Sequence, residues 1–256
     1  MLTFVGLGLH DERSVTLRGR SAIRDADRVF AEFYTSRLTG VDLEALEAAH
    51  DTEIEVRDRA GVERAPGPIL DAATEGDVSF LTAGDTMVST THVDLRLRAA
   101  DRGIETRLVH GPSAATAAAG LTGLQNYRFG PATTLPFPRA HGGDGVPDSV
   151  LSTLAANRER GLHTLVYLDI KAETDAYMLA DEAAGLLAEA GVERLAVAVC
   201  RAGSEDPVVR AARLPTLREE SFGPPLHLLV VPGELHPLEA DALATFADAP
   251  DTLLPH

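Results

Sequence analysis

The sequence predicts an α/β protein of two α/β domains, the first on a mainly parallel sheet and the second on a mixed one. Three observations carry this. Short apolar runs alternate with helical segments along the whole chain, the pattern of parallel strands crossed by helices. The composition shifts after Gly120, where GPATTLPFPRAHGGDG, residues 130–145, is rich in Pro and Gly and has no helical period. The apolar runs at 208–213 and 227–231 have no long helix between them, so some strands of the second sheet are expected to run antiparallel.

In order, strands are expected at 2–7, 28–33, 53–56, 77–82 and 105–109, with helices in the gaps. Ser14 is the expected N-cap of the first helix. Between 89 and 102, Val93, Leu97 and Ala100 recur at spacings of four and three and are expected to face the sheet. Thr91-His92-Val93-Asp94 has the spacing of a capping box at that helix's start. The second domain is expected to open with a strand and a long mobile loop within 130–145, then strands at 164–170, 195–202, 208–213 and 227–231. Helices are expected at 148–158, 172–190 and 238–247, and the domains are read as 1–112 and 113–256.

A chain of 256 residues with 45% hydrophobic content is long enough for two cores. The single cysteine, Cys200, forms no internal disulfide and no zinc cluster, which favours a reducing cytoplasm. The first residues lack the basic and small-residue pattern of a secretory leader, and no apolar stretch approaches the roughly 18 residues of a membrane span. Neither membrane nor nucleic-acid binding is expected, the latter because the formal charge is −16. Of the 23 basic residues only Lys171 is a lysine, and with 39 acidic residues this points to a high-salt organism.

The candidate chemistry sits where strands end. Gly6-Leu7-Gly8 follows the first strand, and Glu32 ends the second about where a dinucleotide fold places its ribose-binding acid. The third glycine of that fingerprint is missing, so a nicotinamide oxidoreductase is a secondary reading. Ala83-Gly84-Asp85 ends a buried strand at the edge where open α/β folds bind ligands, and an ionised Asp85 accepts hydrogen bonds from hydroxyls or an ammonium group. Capping of the turn explains it equally well. His110-Gly111-Pro112-Ser113 repeats the arrangement, with Ser113 as cap or as ligand contact. Asp169 and Lys171 close a later strand, and the lone lysine fits a structural salt bridge or an acceptor contact. The nine histidines form no tight ligand pair, and no P-loop or Gly-x-Ser-x-Gly elbow occurs, so no metal is expected.

Seven stretches occur in the order of a known family: FVGLGLHDERSVTLRG, DRVFAEFYTS, FLTAGDTMVSTTHVDLRLRA, VHGPSAATAAAGLTGLQNYRFG, RGLHTLVYLDIKAE, CRAGSEDPVVRA and FGPPLHLLVVPGELH. The chain thus resembles the diphthine synthase branch of the tetrapyrrole (corrin and porphyrin) methylase superfamily over nearly its full length. FAEFYTS, Thr-Thr-His and LDIK are the elements that mark the branch. The resemblance implies an archaeal, homodimeric, S-adenosylmethionine-dependent methyltransferase with its cofactor in a cleft between the two domains. Carried over by position, the cofactor contacts are Leu9, Asp85, Val88, Ser113, Ala114, Leu168, Ala202 and His227. The implied substrate is translation elongation factor 2, methylated on the amino group of a 3-amino-3-carboxypropyl-histidine to give diphthine and S-adenosylhomocysteine. A related tetrapyrrole or ribosomal RNA methylase, or a non-catalytic cofactor-binding module, is the alternative. On this reading Asp169 and Lys171 face the acceptor, and the loop 136–145 closes over it. One departure stands out: Thr86 occupies the place where the family usually has proline.

Overall fold

The computed structural model describes residues 1–140 and 142–255, including every side chain among them but that of Glu173. The chain divides into two compact units, Met1–Ala114 and Ala115–His256.

The first unit is built on five parallel strands, β1 (Leu2–Gly6), β2 (Arg28–Glu32), β3 (Glu55–Val56), β4 (Val78–Thr82) and β5 (Thr106–Val109), in the order β3-β2-β4-β1-β5. The central strands are buried on both faces, as a parallel sheet requires. Alternate residues separate: Leu2, Phe4, Phe30, Val78 and Phe80 form one core with Ile69, Leu70, Leu95 and Ala99, while Val5, Val29, Ala31 and Leu81 form another with Ile23 and Leu46. Helices α1 (Leu17–Arg24) and α2 (Leu43–His50) therefore cover one face, and α3 (Gly67–Glu75) and α4 (Val93–Asp101) the other.

Three expectations for this unit fail. The first helix is capped by Thr16, whose Oγ accepts from Gly19 N at 3.0 Å, because Asp11 turns residues Glu12–Ser14 into a separate 3-10 turn. Ser14 instead donates its hydroxyl to the Leu9 carbonyl. Helix α4 is rotated from the expected face: Leu95 and Ala99 are buried, whereas Val93 and Leu97 are 56% and 60% exposed. The cause is His92, an apolar-sized ring that is 1% exposed and packs edge-on against Phe80 at 5.2 Å, and so sets the buried stripe at 92, 95 and 99. The capping box is absent too: His92 is the N-cap, Thr91 donates its hydroxyl to Glu63 at 2.9 Å, and Asp94 pairs with Arg98.

The second unit holds α5 (Ala114–Thr122), which begins on the last residue of the first, and a mixed sheet. Its strands are β6 (Thr133–Leu135), β7 (Thr164–Leu168), β10 (Leu195–Cys200), β11 (Val208–Arg213) and β12 (His227–Val231), in the order β11-β10-β12-β7-β6. Only β6 and β7 pair parallel; the other three pairings are antiparallel. Helices α6 (Asp148–Glu159), α7 (Ala180–Glu189), α8 (Leu214–Leu217) and α9 (Pro237–Phe246) flank it. The expected helix at 172–190 is shortened, because Ile170–Lys171 (β8) and Ala176–Tyr177 (β9) form a small antiparallel hairpin closed by Asp175 in a left-handed conformation. That turn leaves only Ala180 onward free to be helical. Within the loop 136–145, His141 lies outside the described residues.

Candidate active site

Strands β4, β1 and β5 are adjacent and parallel, so the loops that follow them emerge at one carboxyl edge. The three exits meet at glycines. A Cβ on Gly6 would sit 2.7 Å from the Gly84 carbonyl oxygen and 2.8 Å from Gly111 N, and one on Gly111 would sit 2.6 Å from the Gly6 carbonyl oxygen. No side chain fits there, so bare backbone lines the edge. Gly8 and Gly84, both at positive φ, exchange two backbone hydrogen bonds of 2.9 and 2.7 Å that clip β1's loop to β4's. The Gly-x-Gly run is thus a close-packed strand exit rather than a dinucleotide turn.

Asp85 projects from this junction. Its carboxylate accepts from His110 Nδ1 at 3.0 Å and from Gly111 N at 3.2 Å, which ties β4's loop to β5's. Leu9, Val88, Ser113 and Ala114 belong to the same three loops; Leu9 is half-buried, Val88 is exposed and Ser113 is buried just ahead of α5. The first unit therefore brings its five predicted contacts to one edge.

The second unit does the same with its three. Because β12 runs antiparallel to both β7 and β10, its first residue His227 lies at the edge where β7 ends with Leu168 and β10 ends ahead of Ala202. His227 is buried, and both ring nitrogens serve the fold: Nδ1 accepts from Ala180 N at 3.1 Å and Nε2 donates to the Pro224 carbonyl at 2.9 Å. Burial holds its imidazole below the ordinary range, in keeping with a neutral ring.

Asp169 and Lys171 converge on a residue that sequence reasoning missed. The Asp169 carboxylate accepts from Phe137 N at 3.0 Å and Ile170 N at 2.9 Å, and the Lys171 ammonium lies 4.6 Å from the centre of the Phe137 ring. Among the described residues Lys171 has this cation–π contact in place of the expected salt bridge. Phe137 thus pins the start of the 136–145 loop, and its signal in the sequence was an aromatic between two prolines.

The comparisons with known proteins fit this arrangement. The family described as Tetrapyrrole (Corrin/Porphyrin) Methylases matches residues 1–218. A curated relative from Halobacterium salinarum, named diphthine synthase, is 69% identical over 98% of each chain. Another, from Natronomonas pharaonis and of the same name, is 65% identical over 100% of this chain and 99% of its own. The chain belongs to the diphthine synthase branch of the tetrapyrrole methylases. A solved structure described as diphthine synthase, 38% identical, superposes with a TM-score of 0.91 over 98% of both chains. Another, described as a putative diphthine synthase from Entamoeba histolytica, is 30% identical with a TM-score of 0.84.

Membership makes the chain an S-adenosylmethionine-dependent methyltransferase of diphthine synthesis, and its haloarchaeal relatives agree with the acid-rich, lysine-poor composition. The oxidoreductase reading falls on Glu32, which is fully buried and points its carboxylate at backbone N–H groups of Tyr34 and Thr35, away from any ribose. Cys200 is buried and its thiol is pushed up to about 12 by that burial, so it is no nucleophile. Among the described residues no group of His, Cys, Asp or Glu is placed to hold a metal, and no helix is long and apolar enough to cross a membrane.

Thr86 is 1% exposed and its hydroxyl has no hydrogen-bond partner among the described residues. Thr86→Val removes a buried orphan group of nearly the same shape and is expected to add about 1 kcal/mol of stability. A higher denaturant midpoint at unchanged slope checks this.

Proposed function

We propose that this methyltransferase acts on the 3-amino-3-carboxypropyl-histidine of translation elongation factor 2, methylating its amino group to diphthine as a homodimer. The supporting observation is a bare-backbone strand edge with Asp85 beside it, in a chain 69% identical over 98% of its length to a relative named diphthine synthase. The residues present suit S-adenosylmethionine: glycine backbone allows close approach, and the Asp85 carboxylate accepts from ribose hydroxyls or the ammonium group.

The bound donor supplies an electrophilic methyl on a sulfonium, so no protein nucleophile is needed. In-line attack by a neutral amine requires orientation, which is worth roughly 7 to 11 kcal/mol. Deprotonating an amine one or two units above ambient pH costs about 1.4 to 3 kcal/mol. Positioning therefore dominates the task, and the edge loops are the elements that perform it.

On the acceptor side, Lys171 faces the carboxylate of the modified histidine, with Asp169 holding Phe137 beneath it. Lys171→Met, which keeps the stem over the ring, is expected to raise the Michaelis constant for elongation factor 2 about tenfold at unchanged donor affinity, the scale of one charge-assisted contact. An unchanged constant removes Lys171 from acceptor binding. The reading as a whole is tested by the intact mass of unmethylated elongation factor 2 after incubation with enzyme and donor. Methyl increments on its modified histidine are expected, and an unchanged mass contradicts the proposal.

A further inference from the structure

Beneath the first unit's edge lies a buried polar cluster that the methyl-transfer chemistry does not use. Glu32, the last residue of β2, is 0% exposed. Its Oε2 accepts from Tyr34 N at 3.0 Å and Thr35 N at 2.9 Å, while Oε1 has no hydrogen-bond partner. Facing Oε1 at 3.5 Å is Nε2 of His92, also buried. A carboxyl oxygen left unpaired in an apolar interior is costly unless something completes it.

His92 ends the loop that Gly84 begins. That loop contains three left-handed residues, Gly84, Met87 (φ 65) and Ser89 (φ 54), so its shape must be imposed from outside. At its start the imposition comes from the Gly8–Gly84 pair and from Asp85 on Gly111. At its end it comes from His92, edge-on to the rings of Phe80 and Tyr34 at 5.2 and 6.3 Å, with Nδ1 3.4 Å from Thr82 Oγ1. Between the two anchors lie Asp85 and Val88.

We propose that Glu32 and His92 are positioning residues for this loop: the neutral acid of Glu32 donates to His92 Nε2, closing the 3.5 Å gap when the methyl donor draws the loop inward. The inference rests on the loop being the donor site. It also accounts for the direction of every hydrogen bond. An imidazole that accepts at Nε2 carries its hydrogen on Nδ1, which then donates to Thr82 Oγ1. The Tyr34 hydroxyl, 3.4 Å from Nε2, is the other group able to donate there.

The protonation states agree with this geometry. Burial raises the Glu32 carboxyl to about 7, against the pull of the Thr35 and Tyr34 N–H groups and the Arg59 guanidinium. Burial lowers His92 to about 4. Between about pH 4 and pH 7 the pair is an acid and a neutral ring, not an ion pair. The other charged groups around it are Arg59, whose guanidinium lies 4.7 Å from the Tyr34 ring centre, Glu63, bonded to Arg59 and Thr91, and Asp58. Within the loop itself Asp85 pairs with His110. As pH rises through the folded value of Glu32, the carboxylate can only accept, so His92 keeps the contact only by moving its hydrogen from Nδ1 to Nε2 and giving up its donation to Thr82 Oγ1; donor affinity should be full below about pH 7 and fall above it.

Glu32→Gln separates this from other causes. Its amide oxygen still accepts from both backbone N–H groups, and its NH2 still donates to His92, so the loop anchor is kept without a titrating proton. The dissociation constant of S-adenosylhomocysteine, measured by calorimetry on the full chain in molar salt between about pH 6 and pH 9, should weaken about tenfold more for wild type than for Glu32→Gln. His92→Phe, which keeps the aromatic packing, should bind about tenfold more weakly at low pH and lose the extra pH course. Parallel courses for wild type and Glu32→Gln overturn the pair's role and assign any pH dependence to Asp85–His110. A wild-type protein that binds no S-adenosylhomocysteine at any pH overturns the cofactor reading instead.

Discussion

Asp85→Asn is expected to weaken S-adenosylmethionine binding by about 10- to 100-fold, the worth of one or more hydrogen bonds to a charged group. The carboxylate now accepts from His110 Nδ1 and Gly111 N, and on the proposed reading it also meets the donor. An amide keeps one acceptor oxygen for Gly111 N but carries no charge and presents an NH2 to the rest of the site. The fold should survive, because the Gly8–Gly84 clip and the glycine packing are backbone features. Calorimetry with S-adenosylhomocysteine, beside a thermal melt, separates the two effects. Unchanged affinity would reduce Asp85 to a brace between two loops, a structural role in place of the turn cap that sequence alone left standing.

The largest effect on stability is expected at Glu239→Ala. Glu239 is fully buried near the start of α9 and accepts four hydrogen bonds, from Gln125 N at 2.9 Å, His163 Nε2 at 3.0 Å, His236 N at 2.9 Å and Arg128 at 3.3 Å. Burial alone would raise its carboxyl, yet the backbone donors of His236 and Gln125, with His163, hold it below the ordinary range. His163 is itself buried and kept below its usual range by that burial; its Nδ1 accepts from Gly233 N, so its Nε2 carries the hydrogen given to Glu239. Removing the acid strands a guanidinium, an imidazole N–H and two backbone N–H groups, at a cost of about 3 to 5 kcal/mol. For a chain of this length that lowers the melting temperature by roughly 10 °C. Glu239→Gln should lie between, since every partner is a donor and the new NH2 has nothing to give its hydrogens to. A melt within about 2 °C of wild type for the alanine variant would contradict this account.

Because the lowered value of Glu239 belongs to the folded state, its contribution is present above the unfolded carboxyl range and is lost as pH falls through the folded one. Glu32 has the opposite sign: raised to about 7, it costs stability as pH rises from the unfolded carboxyl range through that value, whereas Glu239 acts below that range.

Much of this was legible in the sequence. The central strands announced themselves as apolar runs, and the missing crossover between β11 and β12 announced the mixed sheet. The exits at Gly84-Asp85 and Gly111-Pro112-Ser113 were readable because glycines that follow buried strands mark backbone that must approach something closely. What escaped was set by tertiary contacts. Helix α4 buries Leu95 and Ala99 rather than Val93 and Leu97 because a histidine joins its inner face, and periodicity counts histidine as polar. The hairpin at 170–177 hid inside a run of helix-compatible residues, since one left-handed aspartate decides it. Phe137 and Glu32 are linked to the site through residues far away in sequence, and no local spacing reports such a link.

The central claim, methyl transfer to elongation factor 2, is tested most directly by offering isotopically labelled S-adenosylmethionine and this protein, in molar salt, to unmethylated elongation factor 2, a corrinoid and ribosomal RNA in parallel. The account predicts label on a single modified histidine of elongation factor 2 and none on the other two. Label on the corrinoid or the RNA, with none on that histidine, would contradict it.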